Sequence, residues 1–246
     1  MPAGTVVECG PELRVTVLSG PHAEDGRRLV RLDAARTDVR TALAEAGRIP
    51  LPPYITRPVE PGDRDRYQTV YARESGSVAA PTAGLHFTPE LLERLRDHGV
   101  DTAEILLHVG PGTFRPVKVE DPRDHQVASE PFEIPEAAAT AIAGARARGG
   151  RVIAVGTTVV RTLETAVQDD GTVPAGRGDT TLVVVPGFRF RVVDALITNF
   201  HLPRSSLLLL VAAFAGREEI LAAYREAIQR GYRFYSYGDA MFIDQK

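Results

Sequence analysis

A single cysteine, Cys9, leaves the chain without any internal disulfide and without a cysteine cluster that could hold zinc. That usage fits a reducing compartment. Lysine is nearly absent too: only Lys118 and Lys246 occur, so arginine carries almost all the positive charge. Together with the abundance of Ala, Gly and Val, this reads as the mark of a GC-rich coding sequence rather than of phosphate-binding arginines. No basic-then-apolar leader opens the sequence. The longest apolar run, residues 207–215, is far shorter than the ~20 residues a membrane-spanning helix needs. The net charge of −3 gives no global pull toward nucleic acid or a membrane surface, so any RNA contact needs a local arginine patch. The expectation is a cytoplasmic protein that does not touch membranes.

What is present is the composition of an ordinary globular chain: 246 residues, 43% hydrophobic and 25% charged, enough for one large or two small domains. Residues 5–9, 13–18 and 28–32 read as short strands punctuated by Gly10-Pro11 and Gly20-Pro21. A helix follows, with Thr37 as its N-cap and Gly47 at its end. Across residues 49–67, Pro50, Pro52, Pro53, Pro58 and Pro61 oppose regular structure and suggest a linker or domain edge. Beyond Tyr67 the pattern changes. A helix at about 89–98 carries Leu91, Leu92 and Leu95; "AEILLHV" reads as a strand; an alanine-rich helix covers 135–148. The strand "RVIAVGTT" feeds the helix "VVRTLETAV", with Thr158 as candidate cap. After a flexible loop at 169–179 come the strands "TTLVVVP" and "DALITNF", then helices at 204–215 and 217–230. Apolar strands alternating with amphipathic helices predict an α/β domain, a mixed sheet covered by helices on both faces. Sites in such sheets gather at the carboxyl ends of strands. Three ends stand out: His108, Gly156-Thr157-Thr158, and Asn199-Phe200-His201.

Four histidines, His86, His108, His125 and His201, sit at element ends beside Gly, Pro or Thr. Each is open to a structural or a catalytic reading. With no HExxH and no close HxH pair, no metal is expected. In "LLHVGPGTFRPV", Gly110 and Gly112 flank Pro111 but do not lead into a helix, so this is not the dinucleotide fingerprint. It is either a rigid turn or a backbone that a ligand approaches closely. "GTTVVRTLE" places a strand end, a glycine and two threonines before a helix, which leaves N–H groups free for a carboxylate or phosphate. Arg161 and Glu164 lie one turn apart on that helix. They form either a surface pair worth ~0.2–0.5 kcal/mol or a grip on a substrate carboxylate, with Glu164 orienting Arg161. Asp239, after Gly238 in an apolar-aromatic run, is either an anchor for an arginine or a site residue. In "APTAGLHFTPELLERL", Thr82, Ala83 and Gly84 let the backbone come close to a ligand. His86 lies where a helix start can tune its proton affinity.

Five stretches, "AAPTAGLHF", "LHVGPGTFRPV", "VIAVGTTVVRTLE", "VDALITNFHLPRSSLLLLVAAFAG" and "YRFYSYGDAMFI", in this order across residues 51–243, resemble the S-adenosylmethionine:tRNA ribosyltransferase-isomerase family of queuosine biosynthesis. The resemblance implies an enzyme that uses S-adenosylmethionine as a ribosyl donor. It transfers and isomerises the ribosyl moiety onto a 7-deazaguanine (preQ1) base in tRNA, forming epoxyqueuosine and releasing adenine and methionine. It implies an α/β fold with a smaller β-barrel: residues 1–52 as part of the barrel, 53–246 as the α/β catalytic domain. It implies S-adenosylmethionine as co-substrate, no metal, and tRNA as partner. The roles that follow are proton transfer by His86 and His201, with His108, Thr82 and Gly84 in the same cleft. Thr157, Thr158, Arg161 and Glu164 would hold the methionine or ribose end, and Asn199 and Asp239 the ribose hydroxyls or the base.

Two departures qualify this pattern. The chain opens at "MPAGTVVECGPELRVTV", which looks like the second half of the barrel. A fragment, a misassigned start, or a short relative completed as a homodimer would each account for that, since unpaired barrel strands are exposed edges. Where the family shows HxMHxE, "HQVASE" keeps His125 and Glu130 but has Val127 and Ala128. Alternatives are therefore a diverged enzyme that cleaves or cyclises S-adenosylmethionine with a small-molecule acceptor, or a non-catalytic nucleoside-binding remnant.

Overall fold

The structure, a computed structural model, describes residues 1–22, 28–110 and 117–244, and divides into two units, Met1–Ile49 and Pro50–Lys246. The glycine turn expected at 110–116 therefore lies almost wholly outside the described residues.

In the first unit, β1 (Val6–Cys9), β2 (Leu13–Val17) and β3 (Val30–Ala34) form an antiparallel sheet in that order. Among the described residues the sheet has two edges and does not close into a barrel. Helix α1 (Val39–Ala46) packs on it through Ala42, beside the buried Leu13 and Val17. Its cap is Asp38, whose carboxylate accepts the Thr41 N–H, and not the expected Thr37. The Thr37 hydroxyl instead donates to the Asp38 carbonyl.

The second unit runs α2 (Asp63–Arg66), α3 (Pro89–Asp97), β4 (Leu106–Leu107), β5 (Glu130–Ile134), α4 (Glu136–Ala147), β6 (Ile153–Val155), α5 (Thr157–Ala166), β7 (Gly176–Thr180), β8 (Ala195–Asn199), α6 (Ser206–Ala215), α7 (Arg217–Gln229) and β9 (Ala240–Asp244). The one mixed sheet that was expected is two small ones: antiparallel β4-β5-β7, and β6-β8-β9 with β6 parallel and β9 antiparallel to β8. Two strand assignments change for local reasons. Of "TTLVVVP", only Thr180 joins a ladder among the described residues; Val184 goes into the core instead. The ladder partner of β5 is "GRGDT", within and just past the stretch read as a flexible loop. Backbone pairing needs no apolar pattern, and Gly178 leaves room for Phe132: a Cβ there would fall 2.7 Å from the ring.

The proline-rich stretch is no loose linker. Asp63 is buried and accepts two hydrogen bonds from Arg57, each 2.7 Å, one from the Glu60 N–H at 2.8 Å and one from Tyr237 Oη at 3.0 Å. These bonds tie the stretch to the loop before β9. The core gathers Ala154, Val160, Leu163, Leu196, Leu210, Val211 and Phe214 between the sheets and α5 and α6. Each of the valine, leucine and phenylalanine side chains among them contributes roughly 1.5–3 kcal/mol of apolar burial.

The parallel pair β6-β8 positions the site. Both strands end at the same edge, so Gly156-Thr157 and Asn199-Phe200-His201 arrive side by side. Because β9 starts opposite Asn199, the loop 233–239 reaches that edge as well. His108 follows β4 in the other sheet.

Candidate active site

A cavity of about 330 Å³ lies at this edge, lined by Thr82 and Ala83 from the 3-10 turn Thr82–His86, Gly156 to Thr158, Asn199, His201, Tyr54 and Tyr235. Gly156 has φ +100, a conformation that side chains disfavour, and this turns β6 directly into α5. Among the described residues no side chain caps α5, and Thr158 sits inside the helix instead of capping it. The first N–H groups of α5 thus open at the cavity, where a negative group is favoured.

Asn199 is the hub. It is 2% exposed, and its Nδ2 donates to the Tyr235 carbonyl at 3.1 Å and lies 3.1 Å from His86 Nε2. With one amide hydrogen on each, His86 Nε2 accepts and its ring proton sits on Nδ1. Burial lowers the proton affinity of His86, and the nearby Asp239 carboxylate opposes this. Asn199 Oδ1 is buried with no partner among the described residues. His201 Nε2 lies 2.8 Å from Thr198 Oγ1, and the backbone N–H of His201 donates to Tyr224 Oη at 2.7 Å. Burial pushes its imidazole down to about 4, so the ring is neutral at neutral pH.

Thr82, Thr157, Thr158, Asn199 and His201 therefore share one cavity, with His86 behind Asn199. Other residues of the expected set are engaged elsewhere. Arg161 and Glu164 lie deeper along α5, where a buried charge needs a partner. Arg161 Nη1 meets Glu130 at 2.5 Å and Nε donates to the Leu182 carbonyl at 2.8 Å. Glu164 accepts the N–H groups of Arg191, Val192 and Val193 at 2.8, 3.0 and 3.0 Å. They form neither a surface pair with each other nor a lining of the cavity. Gly84 makes room for Tyr71: a Cβ on the glycine would fall 2.1 Å from Tyr71 Oη. The His108 ring packs against Gly76, and its neighbour Val109 lines the cavity instead. Asp239 closes its own loop by accepting the Arg233 N–H at 2.7 Å.

Sequence reading passed over Tyr54, Tyr235 and Ser236, which also line the cavity. The closing run "YRFYSYG" held a usable signal, an aromatic residue ahead of a turn glycine. Glu130, retained from the expected HxMHxE pattern, is explained here as the partner of Arg161.

A cavity at the carboxyl ends of a parallel strand pair, beside an uncapped helix start, defines an α/β small-ligand-binding unit. The model of one family, described as queuosine biosynthesis protein, matches residues 1–243, and the chain belongs to that family. Among its relatives is a Moorella thermoacetica protein, 59% identical over 218 residues, covering 89% of this chain and 63% of that protein. A Thermus thermophilus protein is 60% identical over 220 residues, covering 89% and 62%. Both carry the name S-adenosylmethionine:tRNA ribosyltransferase-isomerase. A crystal structure of S-adenosylmethionine tRNA ribosyltransferase from Thermotoga maritima is similar with a TM-score of 0.54 at 36% identity, covering 99% of this chain and 66% of that one. The chain thus spans a little under two thirds of the length of these relatives.

Proposed function

We propose that this chain carries out the reaction its relatives are named for. The ribosyl part of S-adenosylmethionine is transferred and isomerised onto a 7-deazaguanine (preQ1) base in tRNA, with release of adenine and methionine. The observation that carries this reading is the meeting of Thr82, Thr157, Thr158, Asn199 and His201 in one cavity at the ends of β6 and β8. The N–H groups at the start of α5 take the methionine carboxylate. Asn199 Oδ1, buried and without a partner among the described residues, accepts from a ribose hydroxyl or the adenine amino group. His201 lies in the cavity as a neutral proton donor or acceptor, and His86 acts through Asn199. Arg161, Glu164, Gly84, His108 and Asp239 support the walls instead of touching the ligand. Residues 1–52 serve as part of a barrel, 53–246 as the catalytic domain, and the site of action is the cytoplasm. Among the described residues no helix is long and apolar enough to cross a membrane.

Adenine release tests the reading. Incubated with S-adenosylmethionine, the chain should free adenine only when preQ1-containing tRNA is present, with an affinity for that tRNA that falls as salt rises. Release without tRNA would point instead to cleavage or cyclisation with a small acceptor. Binding without any release would leave a nucleoside-binding remnant.

A further inference from the structure

Among the described residues that line the cavity, none carries a formal charge. They are aliphatic, hydroxyl, amide and aromatic side chains, plus the His201 imidazole, which burial keeps neutral. A cation that enters loses its water, and no lining carboxylate replaces it. Electron-rich ring faces are the groups that can take over this task.

Two tyrosines are held for it. Tyr54 and Tyr235 both line the cavity, with ring centroids 4.9 Å apart and planes inclined by 45°. Rings this close leave no slot for a flat base between them, so what the pair can offer a ligand is ring surface at the cavity wall. Tyr235 has φ +70, in the left-handed region, which is rare for a bulky residue. Surrounding bonds hold it there: its N–H donates to the Phe200 carbonyl at 3.0 Å, and its own carbonyl accepts from Asn199 Nδ2 at 3.1 Å and the Gly238 N–H at 3.0 Å. Tyr54 is fixed from the other side. Its hydroxyl meets Ser236 Oγ and accepts the Ser236 N–H at 3.2 Å, while the Arg57–Asp63–Tyr237 bonds pin its segment to the same loop. Strain kept in place by several independent bonds is found where a side chain has a task beyond packing.

We propose that Tyr54 and Tyr235 form a sulfonium-binding wall, so that the positive sulfur of S-adenosylmethionine is recognised by two ring faces rather than by a carboxylate. This rests on the reading of the cavity as the S-adenosylmethionine site. It adds a basis for selectivity. The cationic substrate is held, whereas the neutral thioether of S-adenosylhomocysteine, or of released methionine, loses that attraction.

Equilibrium binding of S-adenosylmethionine and S-adenosylhomocysteine to the full chain tests the wall. The unaltered protein should prefer the sulfonium by roughly tenfold. Tyr54→Leu and Tyr235→Leu should bring that ratio close to one, while Tyr54→Phe and Tyr235→Phe, which keep a ring face, should preserve it. The ratio is the readout because a packing defect weakens both ligands alike; if Tyr235→Leu does not fold, Tyr54→Leu decides. Equal affinity of the unaltered protein for both ligands would overturn the wall and leave the adenosyl site standing. So would a Tyr54→Leu protein that keeps the preference. Failure of both ligands to bind the unaltered protein would remove the site and the wall together.

Discussion

Replacing Glu130 with alanine strips the buried Arg161 guanidinium of its counter-charge. Both side chains are under a tenth exposed, at 8% and 6%, so water cannot take the place of the lost carboxylate. Among the described residues Arg161 would keep only the Leu182 carbonyl on Nε, and its Nη2 is already buried without a partner there. Breaking a buried pair from one side costs about 3–5 kcal/mol. At about 2–4 °C per kcal/mol for a domain of this size, the melting temperature should fall by roughly 6–20 °C. In urea the midpoint should move by about 1–2 M with little change in slope. The double variant Glu130→Leu/Arg161→Met, which removes both charges, should recover most of the loss. Thermal and urea unfolding followed by circular dichroism measure all of this. A Glu130→Ala protein within about 1 kcal/mol of the original would refute the structural role. So would an Arg161→Met protein of unchanged stability that no longer binds S-adenosylmethionine, which would return Arg161 to the ligand.

Two further outcomes follow from the geometry. The folded-state pKa of His201, about 4, lies below its ordinary 6.5, so the folded protein resists protonation there. The associated stability is present above pH 6.5 and is lost as pH falls from 6.5 toward 4, to a total of roughly 3 kcal/mol. His201→Gln should flatten that part of the stability profile, and unfolding measured between pH 4 and 7 checks it. Gly84→Ala should destabilise the turn before α3, because its Cβ would meet Tyr71 Oη at 2.1 Å. Adding Tyr71→Phe should restore part of the stability, and denaturation of the single and double variants compares them.

Periodicity made the longer elements legible. "VVRTLETAV", "SLLLLVAAFA" and the alanine-rich helix lie where their helical patterns place them, and Gly216 separates α6 from α7. The ends of β6 and β8 were legible as site positions because apolar strand tips followed by Gly-Thr-Thr and Asn-Phe-His carry their meaning locally. Where backbone geometry decides, pattern failed. β7 is polar and glycine-rich yet pairs through its main chain, and Gly156, not Thr158, starts α5. Arg161 and Glu164 looked like a pair because their spacing allows one, but their burial directs them to Glu130 and to the backbone of 191–193.

By itself the sequence determined the family, the order of elements and the strand tips at which polar residues accumulate. These are properties of short windows, set by side-chain periodicity and by which residues tolerate a turn. The tertiary structure alone decided which polar groups meet. Tyr54 and Ser236 are 182 positions apart in the chain, and Asn199 joins His86 to the Tyr235 carbonyl. Such contacts depend on how separate segments pack, and a burial pattern shows that a charge needs a partner without showing which one it finds.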